Sequence, residues 1–187
     1  MDRLQDRIRR DAVYLGNGIV KVGGFLNHQI DTELMDHIGK HLAEKHACLG
    51  ITKILTAEVS GIPPAMATAS CLKVPVVYAR KGTPVTLRDY YSETVMSRTG
   101  GTEVVLKVDR LLLSAEDRIL IVDDFLARGA TLLGLCKIVQ ASGAQLCAVE
   151  CVVEKPFEGG RKLLEELNVP IGSLARIEVV DDKLRVY

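Results

Sequence analysis

Two hydrophobic patterns alternate along the chain. In some stretches apolar residues return every third or fourth position, and in others they form short unbroken runs. Residues 2–12 put Leu4 and Ile8 on one helical face. Asp31 is placed to cap a helix running to about residue 48, with Leu34, Ile38 and Leu42 as its apolar stripe. Further helices are expected over residues 61–72, 130–141 and 158–167. The first carries Pro63 and Pro64 in its opening turn, where missing N–H groups are tolerated, and the second is stopped by Gly143. Residues 51–55, 74–79, 118–122, 146–153 and 175–180 are apolar runs of strand length. Strands alternating with helices imply βαβ units and a mostly parallel sheet, hence an α/β fold.

The segment from residue 82 to about 113 breaks this rhythm. It is polar, rich in Thr, Ser, Arg and Gly, and alternates over residues 102–108. A long insertion of this kind is usually functional, as a lid or flap hairpin.

Composition narrows the function. At 187 residues and 48% hydrophobic, the chain suits a single domain with a sizeable core. Lys+Arg and Asp+Glu each total 24, which argues against a dedicated nucleic-acid binder and makes any anion site local. The charged first residues do not form a secretory signal, and no run approaches the roughly 18 apolar residues of a membrane span. Five cysteines, an odd number without a C-x-x-C, read as reduced and mostly buried thiols of a cytoplasmic protein. Cys147 and Cys151 would stand about 13 Å apart along a strand, too far to share a metal. His37 and His41 have metal-ligand spacing on a helix but read as solvated residues.

The chemistry concentrates in Ile119-Leu120-Ile121-Val122-Asp123-Asp124-Phe125-Leu126-Ala127-Arg128-Gly129-Ala130-Thr131. A strand buried on both faces is expected to end in two carboxylates, followed by a glycine loop and a helix start near Ala130. Ligands of open α/β sheets bind at strand C-termini, and a helix N-terminus there offers free N–H groups to an anion. Carboxylates beside such a cradle repel a phosphate, so they suit sugar hydroxyls, a divalent cation or developing positive charge. The plain alternative is a solvated acid pair before a glycine turn.

This segment resembles the signature of the type I phosphoribosyltransferases, with Arg128 where the common pattern has Thr. Further segments are similar to the subgroup acting on xanthine. They are Phe25-Leu26-Asn27-His28-Gln29-Ile30-Asp31, Ser60-Gly61-Ile62, Val76-Val77-Tyr78-Ala79-Arg80-Lys81 and Glu154-Lys155-Pro156-Phe157, with Gly160-Arg161 just after. The resemblance runs along nearly the whole chain.

It implies a type I phosphoribosyltransferase fold, a mostly parallel twisted sheet flanked by helices, with an N-terminal hood (about residues 1–30) and a flap (about 82–110). It implies transfer of ribose 5-phosphate from 5-phosphoribosyl 1-diphosphate to xanthine in purine salvage. On this reading Asp123 and Asp124 are catalytic, and Ala127, Arg128, Gly129, Ala130 and Thr131 hold the 5′-phosphate. Ser60, Gly61, Arg80 and Lys81 hold the diphosphate. Val20, Asn27 and Lys155 bind the base. Phe157 either stacks on it or belongs to the core. Mg²⁺ is expected to arrive on the diphosphate, without an all-protein metal site. A homodimer is implied, and Met66, Ala67, Ala69 and Cys71, with Leu111-Leu112-Leu113, offer apolar surface for it. Two alternatives stand beside this reading: another purine phosphoribosyltransferase, or a non-catalytic regulator sensing the phosphoribosyl donor. Lys155 argues against adenine. The short run before the hood motif and the neutral charge argue against a DNA-binding regulator.

Overall fold

The computed structural model describes residues 2–82, 88–96, 101–181 and 183–187. Among these, eight strands form one sheet in the order β10-β9-β8-β7-β3-β4-β6-β5. They are β3 (Lys53–Ala57), β4 (Val76–Lys81), β5 (Tyr90–Met96), β6 (Glu103–Asp109), β7 (Arg118–Leu126), β8 (Gln145–Glu154), β9 (Ile171–Val180) and β10 (Lys183–Val186). The five central strands, β9-β8-β7-β3-β4, run parallel, and antiparallel strands close both edges. The helices are α1 (Asp2–Asp11), α2 (Thr32–His46), α3 (Ile62–Leu72), α4 (Ala130–Ser142) and α5 (Gly160–Glu165). A small ribbon, β1 (Val13–Tyr14) with β2 (Val20–Lys21), and a π-helical turn at Gly23–Asn27 complete the N-terminal part.

The sheet divides the core. Leu120 and Val122 join α1, α2, α3 and the N-terminal segment on one face. Ile119 and Ile121 join α4, Leu164 of α5 and residues of β6 on the other. All four side chains are fully buried, as expected of a central parallel strand. The Asp31 side chain caps α2 by accepting from the Leu34 N–H at 3.0 Å.

Several boundaries differ from the sequence reading. β7 does not stop at Val122 but continues to Leu126, so Asp123 and Asp124 lie inside the strand. Pairing with β8 as far as Leu126↔Glu154 carries the polar pair along. β3 and β4 each reach two residues further than their apolar runs, and β9 begins at Ile171. The helix expected over 158–167 is a 3-10 turn, Pro156–Glu158, followed by the short α5, because Gly159 adopts a positive φ between them. Cys48 and Cys71 are exposed, not buried; Cys136, Cys147 and Cys151 are buried, and all five are free thiols. In the expected flap, β5 and β6 form an antiparallel hairpin whose inner strand pairs with β4. Residues 83–87 and 97–100 of that segment lie outside the described residues. No helix among the described residues is long and apolar enough to cross a membrane.

One buried polar cluster pins α2 to the sheet. Glu150, in mid-β8 and 1% exposed, meets His46 Nε2 at 2.8 Å and Lys45 Nζ at 2.5 Å. Burial pushes the Glu150 carboxyl upward, but the hydrogen bonds and charges of His46 and Lys45 outweigh it and hold the group below its ordinary value. A depressed folded value means stability that is present above the unfolded glutamate value of about 4.3 and lost as pH falls through the folded one. Glu150→Gln is therefore expected to lose roughly 1–3 kcal/mol at pH 7. In urea titrations the gap to wild type should narrow between pH 6 and pH 3. A gap that stays constant over this range would contradict the assignment.

Candidate active site

Strand ends and helix starts converge at the C-terminal edge of the parallel sheet, around a cleft of about 560 Å³. β3 supplies Ala57 and then Glu58 and Ser60; β4 supplies Lys81; β7 supplies Asp123, Asp124 and Phe125. Residues 127–132 form the opposite wall, and Val95, Met96 and Val104 of the β5–β6 hairpin cover one side. Such a crevice is where an open parallel sheet binds ligands.

The loop after β7 is shaped for an anion. Gly129 takes φ +80°, a left-handed conformation that lets the chain turn from strand into α4. The first backbone bond of the helix runs from the Leu133 N–H to the Gly129 carbonyl at 2.9 Å. The preceding N–H groups thus have no intrahelical acceptor, and Gly129 offers no side-chain cap. With the helix dipole, these donors make a cradle for a phosphate-sized anion.

The two acids sit beside that cradle and are almost wholly buried, Asp123 at 6% and Asp124 at 8% exposure. The Asp124 N–H donates to Asp123 Oδ1 at 2.9 Å, and the Phe125 N–H to Asp124 Oδ1 at 3.0 Å. Burial and the adjacent Asp124 carboxylate push Asp123 well above its ordinary value, with the Lys81 charge opposing. Gly61 packs behind Asp123: a Cβ there would overlap both its carboxylate and the Thr56 hydroxyl.

Contacts between the N-terminal segment and this site include two hydrogen bonds. Asn27 Nδ2 approaches Asp124 Oδ2 at 3.4 Å. Lys155, only 2% exposed, donates from Nζ to the Gly18 carbonyl at 3.0 Å and lies 4.8 Å from the Phe125 ring centroid. Both residues adjoin the cleft without lining its main volume.

The remaining expected residues divide. Ser60 and Lys81 line the cleft with the whole 127–131 loop, while Gly61 is buried at the start of α3. The Arg80 guanidinium lies against Glu58, Nε to Oε2 3.0 Å, and over the Tyr78 ring. Val20 is packed into the core beneath the N-terminal segment and is not part of the cleft wall. Phe157 is 46% exposed, so it is not a core residue.

Glu58, which the sequence reading does not single out, also lines the cleft. It accepts from the Lys81 N–H at 2.5 Å and holds Arg80, thereby locking the ends of β3 and β4 together. The parallel register Ala57↔Ala79 brings this acid beside the basic end of β4, a placement that local sequence does not show. Phe125, which forms the floor between the acids and Lys155, carried no signal beyond its apolar character.

Comparison with known proteins agrees with this geometry. Residues 27–169 match the phosphoribosyl transferase domain family. A protein of Deinococcus deserti named xanthine phosphoribosyltransferase is 47% identical over 183 residues, 97% of this chain and 95% of the relative. One of the same name from Brevibacillus brevis is 50% identical over 179 residues, 95% of this chain and 91% of its own length. Among solved structures, adenine phosphoribosyltransferase from Trypanosoma brucei superposes with a TM-score of 0.80 at 21% identity, covering 92% of this chain and 79% of its own, a likeness of fold. The Thermoanaerobacter pseudethanolicus adenine enzyme reaches 0.69 at 26% identity, over 78% of this chain and 82% of its own. A parallel sheet whose central strand leads from paired acids into an anion cradle, and a family match over most of its length, make this chain a member of the phosphoribosyl transferase domain family.

Proposed function

We propose that the protein transfers ribose 5-phosphate from 5-phosphoribosyl 1-diphosphate to xanthine, giving xanthosine 5′-phosphate and diphosphate in purine salvage. The observation that carries this reading is the adjacency of opposite electrostatic elements in one cleft: two buried carboxylates at 123–124 and a helix N-terminal cradle at 127–131. A sugar phosphate is the ligand that satisfies both, with hydroxyls donating to the acids and the phosphate accepting from backbone N–H groups. The names of the relatives at 43–50% identity support xanthine as the base.

In the reaction the bond from C1 of the ribose to the diphosphate oxygen breaks, a bond from C1 to a purine nitrogen forms, and that nitrogen loses its proton. Positive charge develops on the sugar ring, and the Asp123–Asp124 pair lies where it is stabilised electrostatically. The leaving diphosphate brings its Mg²⁺ as part of the substrate, and Ser60 and Lys81 are the donors nearest it. Lys155 reads a purine oxygen after giving up the Gly18 carbonyl, and its ammonium disfavours an amino group at that position. Asn27, able both to donate and to accept, reads a second edge of the base. The β5–β6 hairpin acts as the flap, closing over bound substrates to exclude water. Free thiols suit a cytoplasmic enzyme.

A homodimer is part of this proposal. Beside the site, Val59 is 73% and Met66 59% exposed, and Leu111 after the hairpin is 92% exposed. Ala69 and Leu113 are buried and take no part. Sedimentation at micromolar concentration should give a dimer; a single species near the 20.4 kDa chain mass, unchanged by donor, contradicts it.

Product formation with donor, Mg²⁺ and each purine base in turn tests the function. Xanthine should be preferred, and Lys155→Ala should raise KM for xanthine far more than KM for donor. A preference for adenine in the wild type would overturn the assignment. Asp124→Asn should remain folded and lose about ten- to a thousand-fold in turnover. Unchanged kinetics would reduce the acid pair to a structural strand end.

A further inference from the structure

The phosphate cradle does not stand alone. Its back is packed against the turn that leads into α5. The Gly160 N–H donates to the Ala127 carbonyl at 3.0 Å. A Cβ on Gly160 would overlap that carbonyl and come within 2.6 Å of Arg128 C and Gly129 N. Reciprocally, a Cβ on Gly129 would stand 2.7 Å from the Gly160 carbonyl. The two backbones are therefore in direct contact, with no side chain between them to absorb a shift.

The next residue, Arg161, anchors this turn to the sheet. Its Nε and Nη2 donate to Glu154 Oε1 and Oε2 at 2.7 and 2.6 Å, and its Nη1 donates to the Ile171 carbonyl at 2.9 Å. Glu154 is 2% exposed and also accepts from Ser173 Oγ at 2.7 Å and Arg176 Nε at 3.2 Å. Glu154 directly precedes Lys155, whose N–H donates to the Leu126 carbonyl at 2.9 Å. The chain thus closes a ring: 126–127 at the cradle, 154–155 at the end of β8, and 160–161 behind both. Neither Glu154 nor Arg161 lines the cleft.

We infer that Arg161, through its forked pair with Glu154, is a positioning residue that fixes the spacing between the phosphate cradle and Lys155. This rests on the proposed reading of the cradle as the 5′-phosphate site and of Lys155 as a base contact. A bidentate guanidinium–carboxylate pair fixes orientation as well as distance, which a lysine cannot reproduce. The further hydrogen bonds from Ser173 and Arg176 leave the carboxylate little freedom to re-aim, and the Ile171 carbonyl holds the guanidinium. Donor and base are held at the two ends of the ring, so loosening it weakens both together.

The test compares wild type, Arg161→Met and Arg161→Lys by thermal melting, by titration with ribose 5-phosphate, and by steady-state kinetics. Ribose 5-phosphate probes the cradle without the base. In Arg161→Met its Kd should weaken by about tenfold or more. KM for donor and for xanthine should both rise, with kcat within about threefold of wild type. Arg161→Lys should lie between the two. If Arg161→Met does not melt cooperatively, Arg161→Lys alone carries the comparison and should still weaken ribose 5-phosphate binding. A lowered melting temperature with wild-type Kd and KM values makes Arg161 merely structural and overturns the inference. Failure of the wild type itself to bind ribose 5-phosphate overturns the reading of the cradle, and the inference with it.

Discussion

The fold is organised around a conflict of charge at the end of one strand. Within nine residues, β7 and its loop carry two carboxylates and then the exposed N–H groups of a helix start. Left to water, each would be solvated separately. Here the acids are buried, held by the N–H groups of the residues that follow them, and kept a few residues from a cradle that attracts anions. Burial and the neighbouring carboxylate push Asp123 above its ordinary value, with the Lys81 charge opposing. A ligand with hydroxyls at one end and a phosphate at the other resolves the conflict.

Much of the surrounding architecture serves that strand end. β3 and β4, parallel neighbours, are joined at their tips by Glu58, which aligns Lys81 with the cleft. Gly61 allows α3 to start directly behind Asp123. The N-terminal segment docks on the same point, through Asn27 to Asp124 and through the Gly18 carbonyl to Lys155. Asn27 and Lys155 are thus both engaged in contacts within the chain. On the proposed reading, binding the base exchanges those contacts for new ones.

The sequence made the alternating architecture legible because buried parallel strands are long apolar runs, and Gly129 and Gly143 mark the ends of α4. It misjudged where strands end. Apolarity stops at Val122 and Ala79, but ladder pairing continues through Asp124 and Lys81, which only tertiary context supports. The motif around Asp123 was readable from local spacing. The contacts that Arg80 and Val20 make were not, since they depend on Glu58 and on the core beneath the N-terminal segment. The Glu154–Arg161 pair was not legible from local spacing, since the contacts around it depend on β9 lying beside β8.

A crystal structure of the protein with xanthosine 5′-phosphate tests the account most directly. The phosphate should lie on the N–H groups of residues 128–131, with the ribose hydroxyls donating to Asp123 and Asp124. Lys155 Nζ should have left the Gly18 carbonyl for an oxygen of the base. A nucleotide bound with its phosphate away from this loop, or with its hydroxyls out of reach of both acids, would contradict it.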